Sequence, residues 1–110
     1  MSPRPGEVWL ADLGMAAKTR PVVVVSRSDE DPPRVLVLYV PLTSEDRGSE
    51  YEVEMPKLPF LRMEGVANVQ GIGSLHPKRL EKKLGVLPTE VLERIKKALR
   101  FALDLDAFER

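Results

Sequence analysis

The sequence predicts a mainly β domain: a small, strongly curved antiparallel sheet or partly open barrel, capped by one C-terminal helix. Three observations lead there. Short apolar, β-branched runs recur between polar loops. Ten prolines punctuate the chain and favour short strands over long helices. Only the last stretch repeats its apolar residues at helical spacing. At 110 residues, with no internal repeat and no linker, the whole chain 1–110 is expected to be a single domain.

The first strand is expected over Gly6–Leu13, closed by Gly14. Alternation turns Val8, Leu10 and Asp12 one way and Trp9, Ala11 and Leu13 the other. Met15–Thr19 is a loop carrying Lys18. The second strand, Pro21–Ser26, contains four consecutive valines and so has no solvent face. Pro21 suits the first residue of a strand, because it cannot donate to the ladder. Arg27–Pro33 reads as a turn, and Arg34–Val40 as a third strand that ends at Pro41-Leu42-Thr43-Ser44. Glu45–Ser49 is a charged loop. Tyr51–Met55 alternates with glutamates on one face, a half-exposed strand. Glu64–Ile72 supplies another strand weakened by glycine, and Gly71–Ser74 a bend or bulge. Leu84–Leu87 is a short last strand. The helix begins at Thr89 as N-cap, with Glu90 and Glu93 near the positive end of its dipole. Leu92, Ile95, Leu99 and Leu103 then form its apolar stripe, with Ala98 and Ala102 beside them.

Composition excludes several classes of function. Seventeen basic residues balance seventeen acidic ones, which argues against a sequence-blind nucleic-acid coat but permits a local basic groove. With no cysteine there is no disulfide, thiolate nucleophile or Cys-based zinc site, and one histidine rules out a multi-His site within a single chain. No apolar run is long enough to span a bilayer and no signal-peptide pattern opens the chain, so a cytoplasmic protein with no membrane partner is expected.

Three polar stations sit at strand ends. Arg20 offers a planar fork of donors suited to a phosphate, or it simply ends its strand in water. Thr43 and Ser44 offer hydroxyls past Pro41, or they cap a local turn. Gln70 can reach a base edge or satisfy nearby backbone. His76 precedes a basic cluster, Lys78, Arg79, Lys82 and Lys83. A lone loop histidine is more often a spectator, and such a cluster more often a solvated face.

Four segments, in this order, resemble the MazF/PemK (Kid-like) family of toxin endoribonucleases. They are Gly6–Leu13, Lys18–Ser26 with its arginine-proline-valine motif, Val40–Ser44, and Val69-Gln70 followed by Ile72, Ser74-Leu75 and Lys78–Leu80. The final helix fits as well. The resemblance implies an SH3-like barrel shared with CcdB toxins, assembled as a homodimer. It implies cleavage of single-stranded RNA (mRNA) at short sequences by 2′-hydroxyl attack, without metal or other cofactor. It also implies inhibition by a cognate antitoxin. Carried over by position, the catalytic arginine is Arg20 and the catalytic threonine Thr43. Substrate contacts are expected from Lys18, Thr19, Ser44, Gln70, Ser74 and His76. The chain departs from the family after Gln70, where many members carry an arginine and then an aspartate. Ungapped alignment puts Ile72 and Leu75 there; one inserted residue puts Gly73 and His76 there. The alternative that this departure favours is a non-cleaving SH3-like module that binds RNA, or a protein such as gyrase.

Overall fold

The computed structural model describes residues 2–14, 19–62 and 64–105. Among these residues seven strands and one α-helix run in the order β1 (Glu7–Asp12), β2 (Thr19–Val24), β3 (Val37–Thr43), β4 (Glu52–Glu54), β5 (Val66–Asn68), β6 (Gly73–Leu75), β7 (Leu80–Val86) and α1 (Thr89–Ala102). Short 3-10 turns at Val69–Gly71 and Pro77–Arg79 flank β6. The sheet is antiparallel throughout, in the order β4-β5-β3-β2-β1-β7, with β6 added to β3. No ladder joins β4 to β7 among the described residues, so the sheet curls into a loose barrel without closing.

The period of two explains how β2 is buried on both sides. Val22, Val23 and Val24 have no exposure at all. Val23 joins Val8, Val40, Leu42 and the helix residues Val91, Ile95 and Leu99 in one core. Val22 and Val24 join Ala11, Val37, Leu75 and Leu80 in a second core on the other side, covered by Trp9, Leu13 and Tyr39. The expected faces of β1 hold: Val8 serves the first core, and Trp9, Ala11 and Leu13 the second.

Several boundaries differ from the sequence reading, each for a physical reason. β2 starts at Thr19 rather than Pro21, because β1 continues the pairing through Ala11↔Arg20 and Asp12↔Thr19. Arg20 therefore lies within the strand. Residues 34–36 are exposed and precede β3, which begins only where Val37 finds Leu75. Pro41 does not end β3; there the strand changes partners. On one edge it pairs with β2 as far as Val22↔Pro41; on the opposite edge it pairs first with β6, through Tyr39↔Gly73, and past Pro41 with β5, through Leu42↔Ala67 and Thr43↔Val66. The stretch 64–72 is not one strand but β5 followed by a 3-10 turn. β7 is longer than expected, because an edge strand can carry the exposed Glu81, Lys82 and Lys83 without losing its ladder to β1. Thr89 is the first helical residue rather than the cap. Pro88 holds the cap position, and its carbonyl accepts from the N–H of Val91 at 3.0 Å.

The helix buries Val91, Ile95, Ala98 and Leu99, and leaves Leu103 half exposed. It lies against β4 and the 69–71 turn. Full burial of a side chain such as Ile95 stabilises by roughly 1.5–3 kcal/mol. Tyr51 and Phe101 add a tilted ring pair with centroids 5.1 Å apart. No described helix is long and apolar enough to cross a membrane.

Candidate active site

The site begins with Pro41. A proline lacks the N–H that a strand interior would donate. On one edge of β3, the pairs Tyr39↔Gly73 and Leu42↔Ala67 enclose residues 40 and 41 on one side and 68 to 72 on the other. Two residues thus face five, and the excess forms the 3-10 turn. Asn68 starts it, its Oδ1 accepting from the N–H of Gln70 at 3.1 Å. The Ile72 N–H returns to the Val69 carbonyl at 3.2 Å. Val69 is buried in the core with the helix, while Gln70 is exposed at the apex. Gly71 passes beside the proline ring, where a Cβ would lie 2.7 Å from Pro41 Cγ.

On its other edge, β3 meets β2 through Val23↔Val40 and Val22↔Pro41. The ladder ends there; its register extended by two residues would set Arg20 opposite Thr43. Both then fall on the face of Val22, and Arg20 is exposed. Thr43 Oγ1 accepts the backbone N–H of Glu45 at 3.1 Å, so the local capping role foreseen for its hydroxyl is present. An accepting hydroxyl still has its own hydrogen to give to a ligand. Ser44 is exposed beside it.

The loop after Ser44 holds its own shape. Glu52 accepts the N–H groups of Arg47 at 3.0 Å and Ser49 at 2.9 Å, and these bonds hold its carboxyl below the usual carboxylate range. Arg47 pairs with Glu45 at 2.7 Å, which raises the guanidinium's affinity for its proton. Glu52 was expected simply to face solvent; instead it ties this loop to β4.

The other expected contacts are spread along the sheet. Thr19 is exposed at the start of β2, opposite Asp12. Lys18 lies outside the described residues. Ser74 pairs with Leu38, five residues before Thr43 and so about 17 Å away along the strand. His76 caps the next turn, its Nδ1 accepting the N–H of Lys78 at 3.0 Å. Ser74 and His76 are therefore not brought up to Arg20 and Thr43.

Two features escaped the sequence reading. Arg79 belongs to the basic cluster, but its Nη1 donates to the Asp12 carbonyl at 3.3 Å and lies 3.8 Å from the Asp12 carboxylate. It pins the end of β1 beside Thr19 and Arg20. Glu7, nearly buried, accepts from Trp9 Nε1 at 2.9 Å and lies 3.1 Å from Lys83 Nζ. Burial alone would raise this carboxyl, but bonds from Trp9, Lys83 and the Arg4 backbone outweigh it and leave it lowered. The signal was only its position two residues before a tryptophan on the same strand face. Among the described residues no group of three or more His, Asp or Glu could hold a metal ion.

A curled antiparallel sheet with a helix across one core is the architecture of a small SH3-like domain. Residues 4–103 match the model of the PemK-like, MazF-like toxins of type II toxin-antitoxin systems, and the chain belongs to that family. Solved structures agree. An endoribonuclease in complex with its cognate antitoxin, from a mycobacterial species, is 29% identical with a TM-score of 0.81, over 94% of this chain and 96% of that one. MazF from Deinococcus radiodurans is 27% identical with a TM-score of 0.76, over 94% and 98%. The Mycobacterium tuberculosis toxin MazF-mt6 is 25% identical with a TM-score of 0.77, over 92% and 97%.

Proposed function

We propose that this protein is a cytoplasmic, homodimeric toxin endoribonuclease that cuts single-stranded RNA and is held inactive by an antitoxin. The observation that carries the reading is the family match, together with a β2–β3 register that, extended two residues past Val22↔Pro41, would bring Arg20 opposite Thr43. The ribose 2′-oxygen bonds to the adjacent phosphorus and the bond from phosphorus to the 5′-oxygen breaks. The products are a 2′,3′-cyclic phosphate and a 5′-hydroxyl. The 2′ proton leaves to water and the departing oxygen takes one up. Negative charge grows on the phosphorus oxygens as the new bond forms. A guanidinium fixed on a strand stabilises that charge more in the transition state than in the ground state. Thr43 orients the phosphate rather than transferring a proton, since an unaided hydroxyl is too weak an acid. Gln70 supplies a polar contact from the apex of its turn, and Thr19 and Ser44 flank the pair.

Homodimer formation is supported by Val35 and Leu36, just before β3, and Leu38 within it, three half-exposed apolar side chains left uncovered by the single chain. An acidic antitoxin segment competes with RNA for the same cations.

The test is to incubate antitoxin-free protein with mixed RNA and to sequence and chemically type the new ends. Short common sequences ending in a 2′,3′-cyclic phosphate are expected. Intact RNA, with growth arrest traced to a protein target, would instead select the non-cleaving module.

A further inference from the structure

Two clefts are bordered by the sequence neighbours of Thr43 and Arg20, and their charges are opposite. Beside Thr43, Ser44 borders a cleft of about 440 Å³ whose rim carries Asp46, Glu54 and Glu64 against Lys57. On the other side, Pro21 walls a cleft of about 590 Å³ together with Leu10, Phe60, Arg62, Lys82 and Lys83. This second cleft has three cations in its lining and no carboxylate. Lys83 is engaged by Glu7. Arg62 and Lys82 are exposed and make no ion pair among the described residues. In a chain of zero net charge this is a local concentration of positive potential, not a general basic character. The cleft is also firmly built. The Phe60 ring rests on the bare α-carbon of Gly85 in β7, where any side chain would collide with it.

We propose that the cleft between Phe60–Arg62 and β7 is the path by which the substrate RNA leaves Arg20. In it, Arg62 and Lys82 take successive phosphates and the apolar wall of Phe60 and Leu10 receives a base. The inference rests on the ribonuclease reading above. Side chains of Arg20 and Pro21 alternate across β2, so the RNA crosses that strand at its exposed residues Thr19 and Arg20. Asp46, Glu54 and Glu64 repel it from the opposite cleft, which gives the strand one direction.

The test is binding of a single-stranded RNA decamer with 2′-O-methyl riboses, which lack the attacking hydroxyl, to the full chain by fluorescence anisotropy across a salt series. The double variant Arg62→Ala, Lys82→Ala is expected to bind about 10–30-fold more weakly near 0.1 M salt. Its log–log salt slope should fall by about 1.4, two phosphate contacts at about 0.7 each. Arg62→Lys with Lys82→Arg keeps both charges and should restore the slope. Asp46→Asn with Glu64→Gln should bind at least as tightly as wild type. The path is overturned if the alanine variant keeps wild-type affinity and slope, or if the charge-keeping variant loses as much as alanine. It is also overturned if RNA binding is unmoved while binding of a purified antitoxin falls. In all three cases RNA cutting by wild type still upholds the ribonuclease reading. A wild type that neither binds the decamer nor cuts RNA overturns both.

Discussion

Gly71 lies against the ring of Pro41 so closely that a Cβ on it would stand 2.7 Å from Pro41 Cγ. Neither side can give way easily: the proline is a closed ring within β3, and the turn is held by Val69 in the core. The contact fixes where the turn passes and therefore where Gln70 projects. Gly71→Ala is expected to destabilise the fold by about 1–3 kcal/mol, as overpacking does. It should also weaken RNA binding. A urea midpoint matching wild type would show that the turn can move.

Ile95 and Leu103 lie on one expected stripe of α1, yet Ile95 has no exposure and Leu103 is 52% exposed. Ile95→Ala should cost about 2–5 kcal/mol and Leu103→Ala no more than about 0.5 kcal/mol. Equal midpoints in denaturant would mean that the helix does not dock as described.

These cases mark how far the sequence could be read. The double burial of β2 follows from its valines, and the faces of β1 from alternation, because both depend only on which side of a strand is apolar. The ends of β3 could not be read in the same way. Pro41 looks like a terminator locally, but it lies where β3 exchanges β6 for β5 along one edge. The charges of β7 resemble a solvated loop because an edge strand tolerates them. Arg20 and Thr43 were legible as strand-end residues in family order. Their juxtaposition follows only from extending a register set by residues 22 to 24 and 39 to 41. The Arg79–Asp12 bond joins residues 67 apart and had no local signal.

Glu7 gives stability a pH dependence. Its carboxyl is lowered in the folded chain relative to the ordinary 4.5. Its contribution is therefore complete above that value and is lost as pH falls through the lower folded value. Wild type should exceed Glu7→Gln in stability at neutral pH, and the gap should narrow below about pH 4.5. Urea melts of both proteins between neutral and acidic pH check this. A gap that widens on acidification would reverse the sign of the shift.

Thr43 carries two roles that substitution can separate. Thr43→Val removes the acceptor of the Glu45 N–H and should cost about 0.5–1.5 kcal/mol in stability. Cleavage should fall about 100-fold, as for a misplaced reacting group. Thr43→Ser keeps the hydroxyl and should retain both properties to within about 10-fold in rate. If valine cuts RNA as fast as serine, the hydroxyl serves only the turn.

The central claim is that Arg20 stabilises charge on the phosphate. Single-turnover cleavage of one defined RNA at saturating protein measures it most directly. Arg20 is exposed, so its replacement should leave the fold intact. Arg20→Ala is expected to slow the step about 10²–10³-fold, with Arg20→Lys falling between. Cleavage by a folded Arg20→Ala protein at the wild-type rate would contradict the account.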